Sequence, residues 1–493
     1  MYKEHPKTKR SVYGFTHLSA QNSDFQVYNN TILSLVKAVK ERVFYVKKNE
    51  TWVEPHRPRL DTVNHYLAPF FFDLKKVSTS ASPMEAEHYV QLYHGSRRQT
   101  YELAMKENKI KGFDARTSHV TIFLKYELYD FHSKIPVQRV ISPRDARYRI
   151  EAGRYIRPLE KLIYDDINTL FKQITVFKCL NAVERGEVIS TMWDLYLDPV
   201  AIGLDAHRFD QHVSNAMLEW EHTTYQLYYK IDKFFKFLMK LQRNNVCKGF
   251  VKDGKVKYTT KHGRMSGDPN TSLGNVLIMC GIIYSFMKTH SIELSLANDG
   301  DDCVIITERS NLDKIINLLP LFFEDLGFSI VVEDPVYELE HIEFCQCKPV
   351  LDGNGKYRMV RNPFRSIAKD SIAKKPLTNE KIMRRWAKTV GQGGLSLNSS
   401  IPVMQSFYSV LDRVGGDHKI LTDEKSLDGG LFRLGKRMEP KIQYITEETR
   451  FSFWKAFGVL PDEQVAIEDH YKNYILGEGS VHDRYADLPI YRT

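Results

Sequence analysis

Cysteine is scarce in this chain, and its placement forms no pattern. Six residues (Cys179, Cys247, Cys280, Cys303, Cys345 and Cys347) are spread over 493 positions, too few and too scattered for a disulfide framework. No C-x-x-C pair occurs. Cys345-Gln346-Cys347 leaves one residue between the sulfurs, and no His/Cys pair follows at zinc-finger spacing. Reduced thiols in a reducing compartment are the expectation. Long apolar runs are missing too. The richest stretch, Tyr66-Leu67-Ala68-Pro69-Phe70-Phe71-Phe72, is too short to span a bilayer. The first residues (Met1-Tyr2-Lys3-Glu4-His5-Pro6-Lys7) contain no apolar h-region, so no secretory signal is expected. If the protein works at a membrane, something else holds it there. Solenoid repeats and long low-complexity tracts are also absent. A hydrophobic content of 42% with 27% charge excludes disorder, collagen and coiled coil as descriptions of the whole chain. The length fits about three domain-sized units, or one large enzyme built from subdomains. Acid is in deficit: 70 Lys+Arg face 61 Asp+Glu, a formal charge of +9. That excess favours a polyanionic partner.

The positive charge is concentrated. Residues 134–161 hold eight basic residues (Lys134, Arg139, Arg144, Arg147, Arg149, Arg154, Arg157, Lys161) against three acids (Asp145, Glu151, Glu160). A charge run is ordinarily a solvated face. Here arginine dominates, and arginine forks bind phosphate, so a phosphate-binding role stands beside the ordinary one.

Downstream, the pattern becomes mixed strand and helix. Val200–Leu204 reads as a buried strand ending at Asp205. Val213, Met217, Trp220 and Thr224 recur at helical spacing, which predicts one helix beginning near Asp210. Lys252-Asp253-Gly254-Lys255 predicts a hairpin. Asp268 can cap, and Pro269 open, a helix running to about Lys288. Asn298-Asp299-Gly300-Asp301 predicts a second hairpin leading into Cys303–Ile306. A helix near 311–326, a strand near 328–332 and a hairpin near 341–360 follow. The remainder reads as mainly helical, broken at Gly391–Gly394 and Gly415-Gly416.

Three aspartates stand out by position. Asp205 sits at the carboxyl end of an apolar strand; Asp301 and Asp302 sit in the turn of an apolar hairpin. Taken singly, each is an ordinary turn or cap residue. Together they are costly: two carboxylates about 4 Å apart repel by roughly 4 kcal/mol at an effective dielectric of 20. A cation among them removes that cost, and phosphoryl transfer to a hydroxyl needs two such cations held by hard oxygen ligands.

The order of the surrounding residues carries a resemblance. Asp205-Ala206-His207-Arg208-Phe209-Asp210 matches D-x₄₋₅-D. Ser266-Gly267-Asp268-Pro269-Asn270-Thr271-Ser272-Leu273-Gly274-Asn275 matches S-G-x₃-T-x₃-N, and Gly300-Asp301-Asp302 matches G-D-D. The chain resembles viral RNA-dependent RNA polymerases, most of all those of tombusvirus-like plant viruses. Arg139-Val140-Ile141-Ser142-Pro143-Arg144 resembles the family's nucleotide-entry motif, and Glu343-Phe344-Cys345-Gln346 its primer-grip hairpin. Thr449–Phe453 with Ala456-Phe457-Gly458 resembles its C-terminal region. The likeness covers roughly residues 90–465. One departure concerns the loop after the fourth motif, Gly327–Glu333. It lacks the Lys that the family often carries, and no general acid is assigned.

The resemblance implies an α+β right-hand fold whose palm is an antiparallel sheet flanked by helices. Fingers are expected over 1–195, a palm over 196–348 with a fingers insertion near 230–262, and a thumb over 349–493. Asp205, Asp301 and Asp302 are expected to hold Mg²⁺, with Mn²⁺ able to substitute. Lys125, Lys134, Arg139 and Arg144 are expected on triphosphate or template phosphates, and Ser266, Gly267 and Thr271 in the nucleotide pocket. Asp210 and Asn275, with Ser266, are placed to bind a ribose 2′-hydroxyl, which needs polar partners. Expected partners are single-stranded RNA template, nascent RNA and NTPs. A viral auxiliary protein that anchors the complex to host cytoplasmic membranes is expected as well, as is self-association; a missing N-terminal extension is the other source of an anchor. A reverse transcriptase would put aromatics where Asp210 and Gly300 stand. A non-catalytic RNA-binding subunit would not need the full carboxylate set, and a palm-fold cyclase would not need the basic segment.

Overall fold

Seven apolar residues in eight (Val200–Leu204 and Val304–Ile306 around one glycine) build the centre of a four-stranded antiparallel sheet. Its strands are β1 (Pro199–Ala206), β2 (Ser295–Asp299), β3 (Asp302–Glu308) and β4 (Ile330–Val332), in spatial order β2-β3-β1-β4. The computed structural model describes residues 9–15, 18, 25–130, 136–230, 232–374, 376–421 and 435–475, and the backbone of 481–485. The β2–β3 hairpin predicted from its Asp-Gly signal is present, with Asp299 opposite Asp302. Register places Asp302 opposite Asp205 on one edge of β1, and Val331 opposite Asp205 on the other.

Both faces of this sheet are covered, which is why its strands are continuously apolar rather than alternating. Ile202, Leu204, Leu296 and Ile305 pack into one core with residues of α1 (Ala146–Phe171), α2 (Asn215–Tyr229), α3 (Thr271–His290) and α4 (Leu312–Asp325). Ala201, Ala297, Val304 and Ile306 face a second core with Phe344, Trp386 and Phe407. α3 is long and apolar enough to cross a membrane by length and composition, yet most of it is buried inside this protein. It is the central core helix.

A second sheet stands beside the first. Gly254–Thr260, Asn245–Val251, Val120–Leu124 and Val140–Ile141 are joined in that order. Val120, Ile122 and Leu124 bury one face against Leu35, Ala38 and Val39 of the helix Ile32–Val39. Ser11–Phe15 pairs with Ile372–Ala373 and with Val481–Tyr485, so the first described strand lies with the C-terminal part of the chain.

Three local expectations are corrected. The helix expected from Asp210 is broken: Phe209–His212 is a single turn, and α2 starts afresh where Ser214 Oγ accepts from Met217 N at 3.0 Å. Asp268 does not cap α3, which begins at Thr271; its carboxylate takes Arg144 instead. The Gly391–Gly394 run does not break a helix either, since α5 (Glu380–Asn398) passes through it. A Cβ on Gly394 would lie 2.0 Å from the Tyr408 ring, so the missing side chain admits α6 (Met404–Gly415) at close range.

Candidate active site at the acidic hairpin

The tip of the β2–β3 hairpin is held from below. Gly300 has φ +97°, a conformation side chains disfavour. Asn298 brackets it, its Nδ2 donating to Gly300 O at 2.7 Å and its Oδ1 accepting from Gly300 N at 3.1 Å. Lys178 Nζ donates to Asp299 O at 2.8 Å and pairs with its carboxylate at 2.7 Å. The buried Arg185 donates to the other Asp299 oxygen at 2.8 Å. Asn298 and Asp299 are thus scaffold, and the next two aspartates are left facing outward.

Asp301 and Asp302 meet solvent, but protein walls the recess around them. Burial, then the Asp210 and Asp302 carboxylates, push the Asp301 carboxyl up to about 6. Burial, then Asp299, also raise Asp302; Lys178 opposes the shift, and Asp205 adds to it. These are the uncompensated negative charges that a hard cation relieves, and Asp205 joins them through strand register. The donor set therefore fits divalent metal. Among the described residues, no three His, Cys, Asp or Glu side chains already close on one point.

Beside the turn lies a cavity of about 390 Å³ lined by Arg42, Arg139, Arg208, Asp210, Asn275 and Asp301, among others. Arg208, at φ +50°, turns the chain out of β1, and Phe209 stacks on Phe328 with centroids 4.7 Å apart. This anchors Asp210 at the cavity wall. Its Oδ2 accepts from Ser266 Oγ and its Oδ1 from Asn275 Nδ2 at 3.0 Å. Asn275 is buried, and its Oδ1 has no partner among the described residues. A buried acceptor without a donor, on a residue that lines the cavity, suits a ligand hydroxyl. Gly267 has φ +137°, and a Cβ there would stand 3.1 Å from Pro143 N. That close approach lets Ser142 N donate to Ser266 O at 2.8 Å. Thr271 Oγ1 donates to Met265 O at 3.0 Å, tying the same loop to α3.

The four basic residues expected on phosphates separate. Arg139 lines the cavity, half-exposed, with Nε donating to Glu127 Oε1 at 2.6 Å. Lys125 pairs with the same carboxylate at 2.8 Å. Burial would raise Glu127, but Arg139 and Lys125 outweigh it and hold the carboxyl down at about 2. Arg144 is a correction. Its side chain is fully buried, with Nε on Asp268 at 2.6 Å, Nη1 on Ser118 O at 2.6 Å and Nη2 on Asn245 Oδ1 at 2.7 Å. Every nitrogen is engaged within the protein, so Arg144 joins the second sheet to the Asp268 loop and has no fork to offer a phosphate. Lys134 lies outside the described residues.

Cations that sequence reasoning missed also line the cavity. Arg208 was visible between the two motif aspartates. Arg42 carried no signal: it comes from a π-helical turn, Lys40–Phe44, remote in sequence. Its Nη2 donates to Val137 O at 2.7 Å, and its buried Nε has no partner among the described residues. Lys178 and Arg185 were missed as well, because nothing in their spacing connects them to the hairpin. His212 is buried and held down at about 4, chiefly by burial. It bonds Arg208 O at 3.2 Å, consistent with a structural role.

The hairpin's Asp301, Asp210 just beyond β1 and the Ser-Gly loop meet at one cavity and define a class, and the comparisons agree with it. The family model for viral RNA dependent RNA polymerase matches residues 1–478, and the chain belongs to that family. It is 38% identical over 489 residues to the RNA-directed RNA polymerase of Oat chlorotic stunt virus (isolate United Kingdom), covering 94% of this chain and 64% of that one. The Turnip crinkle virus RNA-directed RNA polymerase is 37% identical over 91% of this chain and 58% of its own length. That of Tomato bushy stunt virus (strain Cherry) is 36% identical over 93% and 56%. The chain thus spans about three fifths of the length of these relatives.

Proposed function

We propose that this chain is an RNA-directed RNA polymerase that copies a viral RNA genome by adding nucleotides to a 3′-hydroxyl. One observation carries the proposal: Asp301, Asp210, Ser266 and Asn275 border a single cavity, and strand register sets Asp205 opposite Asp302, the neighbour of Asp301. Asp205, Asp301 and Asp302 hold divalent cations, Mg²⁺ with Mn²⁺ as substitute. Such ions, when bound, activate the attacking hydroxyl and neutralise the triphosphate and its leaving group. The protein's own share is positioning and charge. Arg139, with Arg42 and Arg208, receives the triphosphate. Asp210 accepts from a ribose 2′-hydroxyl, and the free Asn275 Oδ1 and Ser266 Oγ complete a polar set around that sugar. Substrates are NTPs and a single-stranded RNA template, with nascent RNA as product.

The proposed division is fingers over 1–195, palm over 196–348 and thumb over 349–493. It is supported by the β1–β4 sheet lying within the palm range. Residues 245–260, inside the expected insertion, join a sheet with residues of the first range. The pairing of Ser11–Phe15 with C-terminal strands adds a tie between first and last parts. Localisation to membrane-bound replication complexes in the host cytoplasm, through an auxiliary viral protein or an N-terminal extension, is part of the proposal. So is self-association. Flotation with and without such a protein, and light scattering of the purified chain, test them; a soluble, partner-indifferent monomer contradicts both.

The activity is tested by incubating purified chain with a single-stranded RNA template, four NTPs and Mg²⁺ or Mn²⁺, then sizing the product. Template-length complementary RNA is expected. A preparation that binds RNA but yields no product under any of these conditions contradicts the proposal.

A further inference from the structure

Phe344–Cys347 closes a two-residue turn, with Phe344 N donating to Cys347 O at 2.9 Å and Cys347 N to Phe344 O at 3.0 Å. Its central residues, Cys345 (φ +52°) and Gln346 (φ +60°), both lie in the left-handed region. Asn-Gly is the usual sequence for such a turn, because few other side chains accept that backbone. Backbone held there persists only when its surroundings fix it. Gln346 is exposed, so the fixing falls to Cys345. The Cys345 Sγ donates to Asp299 Oδ2 at 3.7 Å and accepts from Arg185 Nη1 at 3.7 Å. It is also within hydrogen-bonding reach of the Asp302 carboxylate. Arg185 closes the group: its Nη2 donates to Asp299 Oδ2 at 2.8 Å and to Phe177 O at 2.9 Å. Its guanidinium lies 5.9 Å from the centre of the Phe344 ring, and Phe344 meets Phe177 edge-on with centroids 5.3 Å apart.

Asp299 belongs to the scaffold of the β2–β3 tip, and Asp302 to its outward-facing pair. One thiol, carried by a strained turn from elsewhere in the chain, therefore reaches both. We propose that Cys345 is a positioning residue that sets metal choice: its thiol fixes the Asp302 carboxylate against Asp299, in the orientation that makes the site selective for Mg²⁺ relative to Mn²⁺. The inference rests on the divalent-cation reading above. Burial, with Asp299 and Asp302 alongside, keeps the thiol protonated, so it serves as a donor to carboxylates rather than as a ligand to the ion. Mg²⁺ demands near-ideal octahedral geometry. A small displacement of one oxygen costs it more than it costs the larger Mn²⁺. Cys345 thus acts through Asp302 and Asp299 and touches neither ion nor substrate.

The experiment titrates Mn²⁺ into purified, RNA-free full chain, reads the free-ion electron paramagnetic resonance signal, and then adds Mg²⁺ as competitor. Cys345→Gly removes the thiol and relieves the left-handed backbone at the same position, so its melting temperature should match or exceed that of wild type. Its Mg²⁺ affinity should fall relative to its Mn²⁺ affinity by about two- to tenfold, the range for one lost hydrogen bond. Cys345→Ala should shift the ratio in the same direction, and Cys345→Ser, which keeps a donor, should stand closer to wild type than either. Cys179→Ser, which alters an exposed thiol, should leave both affinities unchanged. RNA synthesis should follow the binding, with the yield in Mn²⁺ rising relative to that in Mg²⁺ for the glycine and alanine variants. An unchanged affinity ratio in both of those variants would overturn the inference. So would equal losses for the two ions with a lowered melting temperature, which would reduce Cys345 to a filler of its turn. If Cys345→Ala does not fold, Cys345→Gly decides by the same readouts. Wild-type chain that binds both ions with the expected dependence on Cys345 yet makes no RNA would refute the polymerase proposal while leaving this inference standing.

Discussion

Two sets of charges lie within a few residues of each other in this molecule, and they are treated in opposite ways. At the hairpin tip, Asp301 and Asp302 repel each other and their neighbours, and burial raises both. Behind the Ser-Gly loop, Arg144–Asp268 and Arg264–Glu221 are buried pairs with every charge answered. Tyr225 and Asn270 add further bonds to Glu221 at 2.7 and 2.8 Å. A buried pair costs desolvation, which the opposite charge and added hydrogen bonds offset. A cluster left in conflict persists because the turn is rigid and open to solvent, and it is the cluster that can accept a ligand. Saturated charge is scaffold here; unsaturated charge is function.

The largest expected effect separates the sets by activity. Asp301→Ala and Asp205→Ala should each lower nucleotide incorporation by roughly a thousandfold or more, with an unchanged circular dichroism spectrum. Near-wild-type incorporation by either variant would remove these carboxylates from the chemistry. Breaking the scaffold set should look different. Arg144→Ala leaves Asp268 buried and unpaired, so it should destabilise the fold by about 3–5 kcal/mol in urea titration. Arg139→Ala should spare stability and raise KM for NTP, because Lys125 still answers Glu127. Equal stability losses in the two variants would erase the distinction between them.

Arg139 and Arg144 are also the clearest measure of what a sequence discloses. They sit five apart in one arginine-rich run, of the same residue type, and no local pattern distinguishes them. What divides them is tertiary: Asp268 and Asn245 close around one, and a cavity opens before the other. The hairpin and its Asp-Gly turn were legible because strand alternation and turn chemistry are local. The Asp210–Asn275 pairing was legible because motif spacing put both residues near one pocket. Lys178, Arg185 and Arg42 were not, since each reaches its place through a contact more than ninety residues away. The Gly391–Gly394 run misled because glycine marks close helix packing as well as breaks, and sequence does not distinguish the two.

A smaller effect concerns sugar choice. Asp210→Asn or Asn275→Ala should depress kcat/KM for GTP relative to dGTP by about five- to a hundredfold, the cost of an unpaired polar group being roughly 1–3 kcal/mol. An unchanged ratio in both variants would leave the Asp210 network as a structural tie.

The smallest effect is a pH dependence in chelator. The folded Asp301 carboxyl is raised from 3.8 to about 6, so ionising it disfavours the fold. That loss grows as pH rises from about 4 through 6. Asp301→Asn escapes it and should melt higher than wild type at pH 7.5, with the gap closing near pH 4. Solvent at the tip screens part of the repulsion, so a shift of a few degrees at most is expected. A gap that stays constant with pH would show that Asp301 is not under this strain.

Direct metal binding is the sharpest test of the claim that the hairpin carboxylates are left in conflict to receive cations. Mn²⁺ titrated into purified, RNA-free chain should be taken up, as read by loss of the free-ion electron paramagnetic resonance signal. Asp205→Ala and Asp301→Ala should each weaken that uptake at least tenfold, whereas Cys179→Ser should not change it. Undiminished Mn²⁺ uptake in both aspartate variants would contradict the claim.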